Sequence, residues 1–218
     1  MVKLFLALCL VTTSVFAQRI EIEAELMSPS TIKKLIGDYP KLGTPASNAD
    51  FDVLLRIQKN RTIADCAQAH ADESLSVEAM FGGDKGILNA DEASRMQVFL
   101  LKAYANTGVN AYLAKQIYKR PRPYQANKEV KPCIGLESSY SYPSGHSMVA
   151  RLYGRILSRV YPERAELLMK RANEFAWNRV VGGVHHPTDV QAAFIISDYL
   201  VTKMVEDDKF VQELQSLR

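Results

Sequence analysis

Three short stretches carry residue types able to handle a phosphoryl group. The first, "SYSYPSGHSMVA" (residues 139–150), sets Pro143, Ser144, Gly145 and His146 directly before an apolar, helix-like run. Proline presets the backbone, serine is a good N-cap, and glycine removes the side chain that would keep a ligand off the main chain. The first turn of a helix has N–H groups without intrahelical partners and a partial positive charge, so it is suited to an anion. Ser144 adds a hydroxyl and His146 an imidazole in the same turn. Taken alone, a capped helix that happens to carry a histidine explains this stretch equally well.

The second stretch, "KQIYKRPRP" (residues 115–123), brings Lys115, Lys119, Arg120 and Arg122 to the end of a helix and the start of a loop. Taken alone, it reads as cations complementing a helix C-terminus or facing water. The third, "NRVVGGVHHPTDV" (residues 178–190), delivers Arg179 on a helix, breaks at Gly182-Gly183, places His185 and His186 in the turn, and starts the next helix at Pro187-Thr188-Asp189. An aspartate four residues after a histidine can hold one imidazole nitrogen, fix the tautomer and leave the other nitrogen free as nucleophile or base. A zinc reading would use His185, His186 and Asp189. Adjacent histidines rarely point at one ion and no further ligand lies at an obvious spacing, so neither metal nor cofactor is expected.

Together the stretches supply three fixed cations (Lys115, Arg122, Arg179), the neutral donors of Ser144 and Gly145, two histidines and an aspartate. A phosphoryl group in transfer spreads charge over three oxygens that cations and N–H donors must meet. Arginine suits two-pronged phosphate binding, and lysine acts as a point charge. One histidine can attack phosphorus while the other protonates the leaving oxygen.

Lys115-x6-Arg122-Pro123, then Pro143-Ser144-Gly145-His146, then Arg179-x5-His185-x3-Asp189 resembles the three-part signature of the type 2 phosphatidic acid phosphatase superfamily. Among its branches the chain most resembles the bacterial class A non-specific acid phosphatases, over about residues 45 to 200. The resemblance implies a periplasmic phosphate monoesterase that works without metal or cofactor through a phosphohistidine. His185 would be the nucleophile, Asp189 its orienting group, and His146 the general acid and then base. Lys115, Arg122, Ser144, Gly145 and Arg179 would cradle the phosphate. Three positions depart from the usual pattern: Asn178 replaces a serine, Tyr140 a glycine and Ser147 a threonine. These bear on substrate range more than on chemistry. His186 and Lys119 receive no role beyond loop or rim, and Tyr124, Tyr140 and Tyr142 are candidates for the pocket mouth. The alternatives are a lipid phosphate or diphosphate phosphatase of the same superfamily and a phosphate-binding module without turnover. A vanadium haloperoxidase is disfavoured by length.

The elements that must position these groups read as helices throughout, and no alternating apolar–polar run of useful length argues for strands. Helices are expected over "SNADFDVLLRIQ" with Ser47 and Asn48 at its start, and over the Pro- and Gly-free run from Arg61 to Phe81. Another is expected from the capping pair Asn89/Glu92 to a C-cap at Gly108, then one from Val109 to Arg120, stopped by Pro121 and Pro123. The last three run from Ser144 to Tyr161, from Pro162 to Val181 and from Pro187 to Phe210. The expected fold is therefore all-α, a single-domain helical bundle with its site at helix ends and loops. The Pro- and Lys-rich segment 121–142 reads as a functional loop.

Bulk properties narrow the partners. With 218 residues, 47% hydrophobic and 23% charged, the chain can bury an ordinary core. A net charge of +3 is too mild, and the basic residues too dispersed, for a nucleic-acid binder. Lys3, the apolar run Leu4–Val11 and the closing Val15-Phe16-Ala17 read as a secretory signal peptide over 1–17, leaving a phosphatase-like domain over 18–218 and a periplasmic location. The best apolar run after it, Val190–Val201, is interrupted by Gln191, Ser197 and Asp198, so no membrane span is expected there. Cys66 and Cys133 then remain as a disulfide candidate or as separate thiols. Small phosphate esters are the expected partners, and a homodimer is left open.

Overall fold

The computed structural model describes residues 26–83 and 86–217, so the expected leader at 1–17 lies outside the described residues. These residues form eleven α-helices, a short 3-10 turn at Pro162–Arg164 and no strand. The helices are α1 (Pro29–Ile36), α2 (Pro45–Asn60), α3 (Ile63–Ala71), α4 (Val77–Phe81), α5 (Ala90–Phe99), α6 (Leu101–Tyr118), α7 (Pro123–Ala126), α8 (Gly145–Val160), α9 (Ala165–Val181), α10 (Pro187–Val205) and α11 (Asp208–Ser216). The all-α expectation is met.

Local chemistry decides where helices start. Thr44, rather than Ser47 or Asn48, caps α2; its Oγ1 accepts from Ser47 N, and Pro45 occupies the first position. Asn89 and Glu92 form the expected reciprocal capping box on α5. Three expected boundaries differ. The 61–81 run divides into α3 and α4, because Asp72 is drawn inside by Arg171 and Asn178 and Ser76 starts a new helix by capping Ala79 N. Gly108 is no C-cap: α6 runs through it, and a Cβ there would meet nothing within 4 Å. The break falls instead at buried Leu100, with ψ −4°, and α6 ends at Lys119 in the left-handed region at φ 48°. The final run divides at 206–207, where Asp207 caps α11 through Lys209 N.

The core centres on α8, which packs against α9, α10 and α6. Met148, Leu152, Ile156 and Leu157 of α8 meet Leu168, Ala172 and Phe175 of α9 and Ala193 and Ile196 of α10, all fully buried. Their spacing gives each helix one apolar stripe, and each large side chain removed from water stabilises the fold by about 1.5–3 kcal/mol. The helices α8 and α9 come very close at Gly154, where a Cβ would stand 2.7 Å from Ala172 Cβ and 3.2 Å from Met169 Sδ. Cys66 on α3 and Cys133 in the segment after α7 are joined in a disulfide across a sequence separation of 67, with Cα atoms 5.8 Å apart.

Candidate active site

Four helix ends converge: the C-terminal ends of α6 and α9 and the N-terminal ends of α8 and α10. The last turn of α6 holds Lys115, and the chain then runs on to Arg120 and Arg122. α8 opens on Ser144, Gly145 and His146; α9 closes on Arg179; and the turn into α10 holds His185, with Asp189 in the first helical turn. That turn requires Gly183, whose φ is +81° and whose Cβ would press on Pro132 Cα at 3.1 Å.

His185 and Asp189 are fully buried. His185 Nε2 lies 2.8 Å from Arg122 Nη1, and Nδ1 lies 3.1 Å from Asp189 Oδ2. A guanidinium can only donate, so Nε2 must accept and Nδ1 must carry the proton that faces Asp189. The tautomer that leaves a lone pair on Nε2 follows from these two contacts. Burial, then the Arg122 cation, keeps the His185 imidazole neutral, well below its ordinary pKa.

Asp189 is held on every side. Oδ2 also accepts from Ser141 Oγ at 2.6 Å and His186 N at 2.9 Å, while Oδ1 accepts from Arg120 Nη1 at 2.7 Å. Burial pushes its carboxyl up, but His185, Arg120 and His186 outweigh that and hold it far below the usual range. Arg120 is itself buried and reaches Asp50 Oδ2 at 2.8 Å through Nη2; Asp50 in turn accepts from Thr188 N and Oγ1. The chain thus places a buried support, Asp50–Arg120–Asp189, behind the histidine.

Arg122 and Arg179, both within 1% of full burial, face a common space. Arg122 is fixed by Ser139 O at 2.8 Å and Val184 O at 2.9 Å. Arg179 Nε and Nη1 are buried without a hydrogen-bond partner; Glu73 Oε1 is 4.0 Å from Nη1. Between the two arginines stands the carboxylate of Glu137, 2.6 Å from Arg122 Nη2 and 2.5 Å from Arg179 Nη2, with His146 Nδ1 at 3.8 Å. Burial raises the Glu137 carboxyl, but His185, Arg122, Arg179 and His146 together hold it well below the usual carboxylate range. Lys115 Nζ donates to Tyr140 O, and burial followed by the Arg122 charge brings its pKa down to about 7. His146 Nε2 lies 3.2 Å from Glu73 O, and burial followed by Arg179 brings its pKa down to about 4.

Ser144 Oγ receives Ser147 N at 3.3 Å and lies 2.8 Å from Ser147 Oγ, while Ser144 N donates to Asp189 O at 3.1 Å. Ser147, the departure from threonine, therefore belongs to the cap. A Cβ on Gly145 would make one ordinary contact, with Ala111 Cβ at 3.8 Å. The other departure in the third stretch, Asn178, donates from Nδ2 to Asp72 Oδ2 at 2.7 Å.

Several residues assigned to the rim are elsewhere. His186 is buried, with its ring edge-on to Phe51, and Tyr142 is core, with its hydroxyl donating to Ile36 O at 2.9 Å. Tyr124 donates to Glu137 O at 2.8 Å, and Tyr140, whose carbonyl accepts from Lys115, is exposed. Sequence reasoning passed over Glu137, Ser141, Asp50, Thr188 and the inward role of Arg120. Arg120 was visible in the basic run and Ser141 two residues before Pro143, whereas Glu137 belonged to no pattern. Among the described residues no group of three or more His, Cys, Asp or Glu is arranged to hold a metal.

Chemically, the site is a buried neutral imidazole with an available lone pair, three cations and a second imidazole, all around one small anion. Comparison with known proteins places the chain in a family. The model of the PAP2 superfamily matches residues 97–206. A non-specific acid phosphatase of Providencia stuartii is 32% identical over 109 residues, covering 48% of this chain and 44% of its own. The match therefore spans less than half of that relative. An acid phosphatase of Zymomonas mobilis is 24% identical over 220 residues, covering 87% of this chain and 83% of its own. The fold is also similar to a crystal structure of a transmembrane PAP2 type phosphatidylglycerolphosphate phosphatase from Bacillus subtilis, with a TM-score of 0.54, 20% identity, and coverage of 77% of this chain and 89% of that one. No helix among the described residues is long and apolar enough to cross a membrane. From the matched segment, which holds all three charged stretches, the chain belongs to the PAP2 superfamily.

Proposed function

We propose that this protein is a periplasmic acid phosphatase that hydrolyses phosphate monoesters through a phosphohistidine, without a metal. The observation that carries the reading is the facing pair of buried arginines beside His185, with Arg179 Nε and Nη1 still lacking hydrogen-bond partners. Buried guanidinium donors without acceptors are costly unless an anion completes them. The resemblance of the acid phosphatases of Providencia and Zymomonas supports the same substrate class. The leader-like N-terminus and the Cys66–Cys133 bridge support an oxidising compartment outside the cytoplasm.

The proposed steps use the groups in the places described. A monoester enters with its phosphoryl oxygens toward Arg122, Arg179, Lys115 and the α8 N-terminus. Arg122 Nη1 shifts from His185 Nε2 to a phosphoryl oxygen, which frees the lone pair. Nε2 attacks phosphorus, the bond from phosphorus to the ester oxygen breaks, and protonated His146 gives that oxygen its proton. Asp189 stabilises the positive charge that grows on the ring. Neutral His146 then takes a proton from water as that water attacks the phosphohistidine. The N–P bond breaks, and inorganic phosphate and the starting histidine are released.

Turnover of p-nitrophenyl phosphate by the full, oxidised chain tests the proposal, with and without a chelator. Activity is expected to survive the chelator and to fall by at least about a thousandfold in His185→Ala. Loss of activity with the chelator would refute the metal-free route. Undiminished activity in His185→Ala would refute the nucleophile.

A further inference from the structure

The groups that would receive phosphate already hold an anion of the protein's own. Glu137 offers one oxygen to Arg122 Nη2 and the other to Arg179 Nη2, at 2.6 and 2.5 Å. Its backbone is anchored on both sides: Tyr124 Oη donates to Glu137 O at 2.8 Å, Arg122 Nε donates to Ser139 O at 2.8 Å, and Cys133 is bonded to Cys66. The side chain is nevertheless 24% exposed, so its carboxylate can swing outward while the backbone stays.

We propose that Glu137 is an internal competitor for the phosphate cradle, one that substrate and product must displace before they can bind. The proposal rests on reading that cradle as the phosphate site. A carboxylate has two oxygens and satisfies one Nη2 on each arginine, leaving Arg179 Nε and Nη1 without partners. A phosphoryl group has three non-bridging oxygens and can serve these donors too, so it wins the exchange. The exchange still weakens its apparent affinity: a cradle that is open for a tenth of the time binds about tenfold more weakly than its intrinsic constant. Two consequences follow. The buried cations stay compensated between turnovers, and product phosphate leaves more readily because a tethered anion is ready to replace it.

The test is binding of inorganic phosphate to the full, oxidised chain, by calorimetry and by the rise in melting temperature, together with its inhibition of p-nitrophenyl phosphate turnover. Glu137→Gln keeps the side-chain shape and loses the charge. Phosphate is expected to bind this variant about tenfold more tightly or better, and to inhibit it correspondingly more strongly. Glu137→Asp keeps the charge on a shorter arm that cannot bridge both arginines from the same backbone; it should also bind more tightly, and it serves if the glutamine variant folds poorly. Equal affinity within about twofold, or weaker binding in both variants, would overturn the proposal, because the carboxylate would then be organising the arginines rather than competing for them. The proposed activity is judged separately. A wild-type protein that binds phosphate without turnover would sink the phosphatase reading alone, and one that turns over with unchanged phosphate affinity in the variants would sink the competitor alone.

Discussion

Replacing Cys66 and Cys133 together by alanine should lower stability sharply while leaving the site assembled at room temperature. The bridge closes a loop with a sequence separation of 67. Treating its effect as lost entropy of the unfolded chain, a loop of that size corresponds to about 4 kcal/mol. For a domain of this size, such a change lowers the melting temperature by roughly 8–16 °C. The native state loses little else at this place, because the tethered segment keeps Cys133 N to Gly182 O at 3.1 Å, Gln58 Nε2 to Glu129 O at 3.0 Å and two donations from Arg61 to Val181 O and Lys131 O. Scanning calorimetry of the oxidised wild type and the double variant reads the shift, and thiol titration confirms the redox state of the wild type. A fall of less than about 2 °C, with Cys66 and Cys133 unreactive in the wild type, would refute the argument by showing that the bridge constrains little of the unfolded chain.

Three further outcomes are expected. Arg120→Met leaves Asp50 and Asp189 uncompensated in the interior and should cost about 3–5 kcal/mol, measurable by urea unfolding; a loss under about 1 kcal/mol would mean the carboxylates find other partners. Asp189→Asn, which no longer favours a proton on His185 Nδ1, should lower kcat by about a hundredfold or more with the fold retained by circular dichroism. In pH profiles, phosphate affinity should decline as pH rises through about 7, where Lys115 loses its charge, and kcat/KM should lose its acid-catalysed component as His146 deprotonates from about 4 upward. A bound phosphoryl group restores negative charge beside the His146 ring, so the descending limb of kcat should lie at higher pH than that of kcat/KM; coincident limbs would argue against His146 as the acid.

The charged stretches were readable because each is local: Ser144 caps its own helix, and His185 meets Asp189 one helical turn away. The all-α class was readable from caps and from the lack of alternation. What escaped depends on distance along the chain. Asp50 meets Arg120 across 70 residues, and Asp72 meets Arg171 across 99, and that second contact is what breaks an otherwise uninterrupted helical run at α3. Gly108 misled because its backbone stays helical, and it is Lys119 that turns left-handed where α6 ends. Glu137 escaped because a single carboxylate in a loop acquires meaning only from the two arginines that fold around it.

The near-contact of Gly154 with Ala172 makes α8 and α9 a pair of tongs with its pivot well away from the jaws. Ser144 and His146 ride at one tip and Arg179 at the other, roughly 10–15 Å along the helices from the pivot. A single methyl group inserted at the pivot would force the two helices to shift there and so move Ser144, His146 and Arg179 relative to one another, with each of these side chains left chemically unchanged. The spacing of the proposed phosphate cradle is thus set in part at a position that lies outside it.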